Sequence, residues 1–372
     1  MNGSTAQAII TAMAIIGLLE GLRGITTIPI VAVTRRLATI YGLLLVLLSC
    51  RLVMSVLPGI PALMATVPMM VAAAWLPLAG IRFVEDLVRR HAPVSVKIGV
   101  LAGAVVFTVF AFTAGLIWNE RVLHLLAAFQ GTTLVAMVVM LIRGRPEVTR
   151  SEGSAAACFL LALVAAVPLV LTDFRAILPD ADVRGGPFAV LLLLLATSRL
   201  IGGGGTYRHL AADVALCLAS GAIAYGASDQ DGITAAFCTG LTAFALLVER
   251  FSGARGRRTH IIRTLATAQD TGEMLAIDPL LSTGRTIEAT DLAEYPADVV
   301  TRIARHRLLG RSDPDPGVRD AVEDILDSHD ATHLLRLEAD PPRFLALSAG
   351  VMTDQGIDDE LMVAARMMES RA

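Results

Sequence analysis

Three ionisable residues interrupt apolar runs near the N-terminus. Glu20 and Arg23 lie within "GLLEGLRGITTIPIVAVTRR", residues 17–36, and Arg51 lies within "LLSCRLVM". A lone charge at membrane depth costs from about 3 to above 10 kcal/mol, so such residues face a bundle interior, pair with one another and mark functional positions. Glu20 and Arg23, at i and i+3, share one helix face. If the two runs are antiparallel neighbours, Arg51 comes to roughly the level of Glu20 and a Glu20–Arg51 pair is within reach. Two chemistries stay open. Either the three residues form a polar pocket for an anionic or zwitterionic ligand or a proton path, or one acid and two bases make a salt bridge that fixes packing.

Other reactive side chains carry less. Cys50, Cys158, Cys217 and Cys238 all fall inside apolar runs without CxxC spacing, so they read as small core residues and not as a disulfide framework or zinc site. "HDATH", residues 329–333, holds two histidines and an aspartate but lacks companion ligands, and reads as a solvated loop. Lys97 is the only lysine, which excludes a retinal Schiff base in a late helix, and no facing histidines sit at mid-depth for a haem. GxSxG, HExxH and a phosphate-binding glycine loop are all missing. No cofactor, no metal and no catalytic residue is expected.

The elements that must position these residues are membrane helices. The chain is 55% hydrophobic and 17% charged over 372 residues, and apolar windows follow one another at 8–33, 37–57, 62–82, 97–118, 122–142, 155–172, 187–202, 210–226 and 232–249. Each approaches the roughly 20 residues needed to cross a core of about 30 Å. The first lacks a basic segment before it and reads as a retained span, not a signal peptide. It is broken by Gly17, Gly21, Gly24 and Pro29, and the seventh is short and runs into four glycines at 202–205. Arginines crowd alternate connections: Arg35 and Arg36, then Arg82, Arg89 and Arg90 with Lys97, then Arg143, Arg145 and Arg150, then Arg199 and Arg208. The other connections hold only Arg121, Arg175 and Arg184. The excess of basic residues on the cytoplasmic side therefore predicts N-terminus out and C-terminus in. "GIRFVEDLVRRHAP" continues the third span as an amphipathic helix, and Phe83, Val84, Leu87 and Val88 are expected to lie on the membrane surface.

After "ERFSGARGRR" the composition becomes that of a small soluble domain. Helices are predicted over 257–276, 296–309, 317–328 and 356–370, with strands in "THLLRLEA" and "RFLALSAG". The last helix places Ile357, Leu361, Ala364, Ala365 and Met368 on one face, with Asp354 as its cap. Beyond residue 265 carboxylates outnumber arginines roughly two to one, which argues against nucleic-acid binding.

Two local resemblances accompany this reading. "LEGLRGITTIPIVAV" resembles the opening of the membrane-bound acyltransferases that modify surface polysaccharides, where an (E/D)GLRG segment leads into a helix bearing a histidine; here no histidine follows. "LAIDPLLSTGR", residues 275–285, is similar to the start of the diguanylate cyclase domain, but the GGDEF signature and metal-binding aspartates do not follow. The layout as a whole resembles the multi-span input regions of bacterial membrane sensor proteins.

The fold class expected is thus an all-α polytopic membrane bundle of about nine spans, residues 1–250, with a small acidic α/β cytoplasmic domain, residues 251–372. The function expected is a sensory or scaffold protein of the bacterial inner membrane, whose segment 255–372 binds a cytoplasmic protein partner. Its surroundings are the lipid bilayer, and it is a candidate homo-oligomer. The alternatives are a secondary transporter using Glu20 and an acyltransferase-like membrane enzyme.

Overall fold

A computed structural model describes residues 3–26, 32–57, 59–88, 90–113, 120–144, 150–174, 183–201, 207–228, 230–267, 284–288, 290–310, 317–329, 331–339, 342–347 and 361–366. The chain divides into two compact units. One comprises Met1–Val148, Gly153–Arg199 and Gly205–Phe251; the other comprises Thr149–Glu152, Leu200–Gly204 and Ser252–Ala372.

The first unit is helical. Its helices are α1 (Gly3–Thr26), α2 (Ala32–Val56), α3 (Ile60–Val88), α4 (Val94–Phe112), α5 (Glu120–Gly144), α6 (Arg150–Leu171), α7 (Gly186–Ile201), α8 (Tyr207–Ala227) and α9 (Gly232–Thr267), the ends of α6, α7 and α9 at 150–152, 200–201 and 252–267 falling in the other unit. Eight of them are long and apolar enough to cross a membrane, which makes the chain a multi-pass membrane protein by length and composition. The exception is α7. Its 16 residues give about 24 Å at 1.5 Å per residue, short of a hydrocarbon core of about 30 Å. Leu191, Leu194, Leu195, Ala196 and Thr197 on it are all buried, as expected of a helix that is apolar all round and packed among others.

Small residues let these helices meet closely. Gly21 of α1 faces the ring of Tyr41 on α2, and Gly17 faces Leu194 on α7. The fully buried Tyr41 shares a hydrogen bond with Thr197 of α7. Pro77 interrupts α3 and has no N–H for the carbonyl four residues back. That carbonyl, of Ala73, instead accepts a hydrogen bond of 3.0 Å from the Gln130 side chain on α5.

Three expectations are corrected here. First, α1 is described over Gly3–Thr26, and Val33, expected at the end of the first span, belongs to α2. Second, α3 continues unbroken to Val88, and Phe83, Val84, Leu87 and Val88 are buried in protein, not laid on a membrane surface. Phe83 packs on Phe159 of α6 with ring centroids 4.9 Å apart, and Val88 abuts Gly144 of α5. Third, the helix expected to begin at 257 is the continuation of α9, which is 36 residues long.

The second unit holds a four-stranded antiparallel sheet in the order β1-β4-β3-β2, with β1 (Arg285–Ile287), β2 (Leu308–Gly310), β3 (His333–Ala339) and β4 (Pro342–Leu347). The strands β3 and β4 form a tight hairpin, with Ala339 opposite Pro342. Helices α10 (Ala297–Ile303) and α11 (Arg319–Ser328) intervene. Val322, Ile325 and Leu326 on α11, at i, i+3 and i+4, join Ile303, Leu309, Leu334 and Phe344 in one core. β1 and β2 are strands where none was expected. Residues 304–309 turn out of the helix after Ile303 and into β2. Of the predicted last helix, 361–366 is helical, with Leu361, Ala364 and Ala365 buried; Asp354, Ile357 and Met368 lie outside the described residues.

Candidate functional site: a cavity with a charged mouth

The membrane unit holds a half-open cavity of about 810 Å³, within the range of roughly 300–1,000 Å³ typical of ligand pockets. Leucine, methionine, alanine and phenylalanine from α2, α3, α5, α6 and α7 form its wall, including Leu44, Met70, Leu126 and Phe159. Its charged lining residues are Arg51, Asp173 and Arg184, accompanied by Gln7 and Ser4 of α1.

Arg51 makes its ion pair with Asp173, just beyond α6: Nη1 donates to Oδ2 at 2.9 Å. The Gly186 N–H donates to the other carboxylate oxygen at 3.3 Å, so Asp173 holds α2 against the first turn of α7. Only glycine fits there. A Cβ on residue 186 would lie 2.0 Å from Asp173 Oδ2 and 2.9 Å from Arg51 Nη1. The neighbouring segment is pinned as firmly. Gln7 receives the Arg184 N–H at 2.9 Å and donates to the Arg184 carbonyl at 3.3 Å. The Gly185 N–H donates to Thr172 Oγ1 at 2.6 Å, and Arg184 Nη1 donates to the Asp173 carbonyl at 3.1 Å. Arg51 Nη2 is buried and has no hydrogen-bond partner among the described residues.

Glu20 and Arg23 stand elsewhere. They pair with each other at 3.8 Å on a part of α1 where the Arg23 side chain is 71% exposed and Glu20 37% exposed, and neither lines the cavity. The predicted levelling of Arg51 with Glu20 fails because α1 stops at Thr26. Glu20 is six residues from its end, whereas Arg51 is nineteen residues into α2. At 1.5 Å per residue the two differ by about 20 Å along antiparallel axes. Arg51 keeps its place as an ion-pair residue, with Asp173 as its carboxylate. Asp173, Arg184 and Gln7 are additions to the predicted set. Their signal was an aspartate closing one apolar run and "RGGP" opening the next, with a glutamine inside the first window.

Two further charge clusters tie helices together. The Glu85 carboxylate, 9% exposed, lies 2.6 Å from Lys97 Nζ on α4 and accepts the Ala92 N–H at 2.6 Å. Arg36 on α2 donates to Asp86 at 3.3 Å. Between α8 and α9, Arg250 pairs with Asp213 and also donates to the Leu195 carbonyl of α7 at 3.3 Å.

In the second unit, "HDATH" is not one loop. His329 caps the end of α11, while His333 begins β3, is 8% exposed and shares a hydrogen bond of 2.9 Å with Thr332. No cluster of three or more metal-ligating side chains occurs among the described residues. Burial holds the His329 imidazole below its ordinary value, Arg285 adds to that effect and Asp291 opposes it. A group whose folded pKa is depressed in this way contributes fully above its unfolded value of about 6.5, and that contribution is lost as pH falls. The sheet unit is therefore expected to lose more stability between pH 7 and pH 5 than its H329Q variant does, compared by amide hydrogen exchange of β3 and β4 in the full chain. Equal losses would remove His329 from the acid response.

Compared with known proteins, the chain matches no protein-family model and no curated sequence.

Proposed function

We propose that the chain is a receptor of the bacterial inner membrane, in which the helical unit binds a ligand within the bundle and residues 255–372 bind a cytoplasmic protein partner. The observation that carries this reading is the ligand-sized cavity with apolar walls and Arg51, Asp173 and Arg184 at its mouth. Half-buried charge of this kind, pinned by hydrogen bonds on α1, α6 and α7, is costly to a membrane protein and is tied to binding or transport.

The orientation is N-terminus out and C-terminus in, on the asymmetry of arginine between alternate connections. The cavity mouth then opens on the outer side, where the connections are poor in arginine. The acidic sheet unit belongs in the cytoplasm, where its charge suits a protein partner better than nucleic acid. Transport through Glu20 has weaker support, since Glu20 is partly exposed and off the cavity lining. The acyltransferase and cyclase resemblances draw no family match, and most of "LAIDPLLSTGR" lies outside the described residues.

The test is partner capture by cross-linking in native membranes, comparing the full chain, a chain lacking residues 255–372 and Ala166→Trp, which fills the cavity from α6. A receptor loses its captured protein with the tail and changes capture severalfold when the cavity is filled, at unchanged membrane level. Capture that depends on the tail but ignores Ala166→Trp would reduce the protein to a scaffold, and capture independent of the tail would overturn the reading.

A further inference from the structure

Resting on that reading, we infer that the cavity takes a neutral aliphatic molecule, held by apolar contact, and rejects the same carbon skeleton when it carries a charge. The wall sets the class. It is built mostly from leucine, alanine, valine and methionine, with Phe159 and Phe174 as its aromatic members. Those two stand fifteen residues apart along α6 and its end, on the order of 20 Å, and Phe159 packs on Phe83. They form neither a stacking platform for a flat ring nor the aromatic box that holds a quaternary ammonium. Such a wall offers dispersion and the release of water from hydrocarbon. Along α2 the lining follows the helix from Ile40 to Ser55, about 22 Å at 1.5 Å per residue, which is room for an extended skeleton.

The polar groups of the lining are engaged within the protein. Asp173 gives one oxygen to Arg51 Nη1 and the other to the Gly186 N–H. Gln7 is bound through both ends of its amide to the Arg184 backbone, and Arg184 Nη1 donates to the Asp173 carbonyl. Gln130 Nε2 donates to the Ala73 carbonyl, and the Ser55 hydroxyl to the Leu52 carbonyl at 2.8 Å. Arg51 Nη2 is buried and has no surface open to the cavity. A charged ligand would shed its hydration here without meeting a partner, which strongly disfavours an ion. A neutral chain with one small polar group loses far less.

Methionine sets the breadth of the class. Met54, Met69, Met70 and Met137 line the cavity, four of the 13 methionines in the chain. The thioether side chain is unbranched and polarisable, and surfaces rich in it repack around partners of different outline. Two of the sulfurs are set in place by neighbours. The Thr66 hydroxyl donates to Met54 Sδ at 3.9 Å, and Gly80 leaves the space beside Met137 Sδ, which a Cβ there would approach to 2.7 Å. Discrimination is therefore by charge more than by outline, and linear and branched skeletons are accepted alike.

The probe is a hexadecanol analogue carrying a photoreactive diazirine and an alkyne, applied to membranes containing the full chain. Labelled peptides are mapped by mass spectrometry, and competitor concentrations are taken per membrane lipid. Saturable labelling of α2 and α6 lining peptides is expected, displaced by hexadecanol and, within threefold, by its branched isomer 2-hexyldecanol. Hexadecyl sulfate and hexadecyltrimethylammonium, which stay charged, are expected to need at least tenfold more. Ala166→Trp removes the labelling by filling the cavity; Ala189→Phe fills it from α7 should the first variant fail to reach the membrane. Met69→Leu with Met70→Leu keeps the volume and gives up flexibility. It is expected to weaken displacement by 2-hexyldecanol at least threefold and to leave hexadecanol unchanged.

Displacement by either charged competitor as readily as by hexadecanol overturns the neutral class, and needs no variant. Labelling that survives both cavity-filling variants, or that does not saturate, puts the probe on the lipid-facing surface and overturns the site. Equal displacement by both alcohols in the double-leucine variant overturns the part given to methionine. Should the probe fail while Ala166→Trp still changes partner capture, the ligand class falls and the receptor reading stands. Labelling as expected without any change in capture has the reverse meaning.

Discussion

Lys97→Met is expected to destabilise the membrane unit by about 3–5 kcal/mol, the cost of leaving a buried charge without its partner. The charge left behind is Glu85, 9% exposed, which keeps the Ala92 N–H at 2.6 Å and has the exposed His91 imidazole at 3.9 Å. The reverse deletion is milder. Glu85→Ala leaves Lys97, 38% exposed, with access to water, and loses chiefly the partner of a backbone N–H, about 1–3 kcal/mol. The double variant Glu85→Gln with Lys97→Met removes both charges and keeps an acceptor for Ala92, so it should recover to within about 1 kcal/mol of the parent. Thermal unfolding of the four purified proteins in one detergent measures the order. A Lys97→Met protein as stable as the parent would show that Glu85 is neutral or solvated in the folded state.

The second large effect falls on the sheet unit. Phe344, 1% exposed, sits on β4 in the core made with α10 and α11, and truncating a buried phenylalanine costs about 3–5 kcal/mol. Small units bury a modest share of their surface and have little stability to lose. Phe344→Ala in the full chain is therefore expected to raise amide exchange throughout β3 and β4 while the helices of the membrane unit keep theirs. Glu323→Ala, at an exposed position of α11, is the control and should stay within about 0.5 kcal/mol. Protection unchanged by Phe344→Ala would mean that the core is not cooperative across β4.

Much of the membrane unit is legible in the sequence because hydrocarbon thickness imposes a length on every span, and long apolar runs leave few readings open. Helix ends are less legible. Seven residues of error at the end of α1 and five at the start of α2 moved Arg51 from the level of Gln7 to that of Glu20, and so chose the wrong carboxylate. In the sequence Asp173 is only an aspartate closing an apolar run. Its pairing depends on Gly186 leaving room for it, which is a three-dimensional fact. In "FVEDLVRR" the acid Glu85 looks like the wet side of an amphipathic helix; only the continuation of α3 among α4, α5 and α6 shows it as the buried side. In the tail, the hairpin of "THLLRLEA" and "RFLALSAG" was readable from dense leucine and phenylalanine around a proline-rich turn. Arg285–Ile287 and Leu308–Gly310 were not, because three residues carry no periodicity and become strands only by pairing with β4 and β3.

The position of Lys97 has a consequence for covalent marking. Apart from its α-amino group, the chain offers one primary amine, and that amine is engaged by a buried carboxylate. Acylation or attachment of a tagging protein at lysine thus has a single internal address. Acylation there would neutralise the amine and leave the acid unmatched beside it. For this chain such a mark is equivalent to damage, and regulation through lysine has no site that could carry it harmlessly.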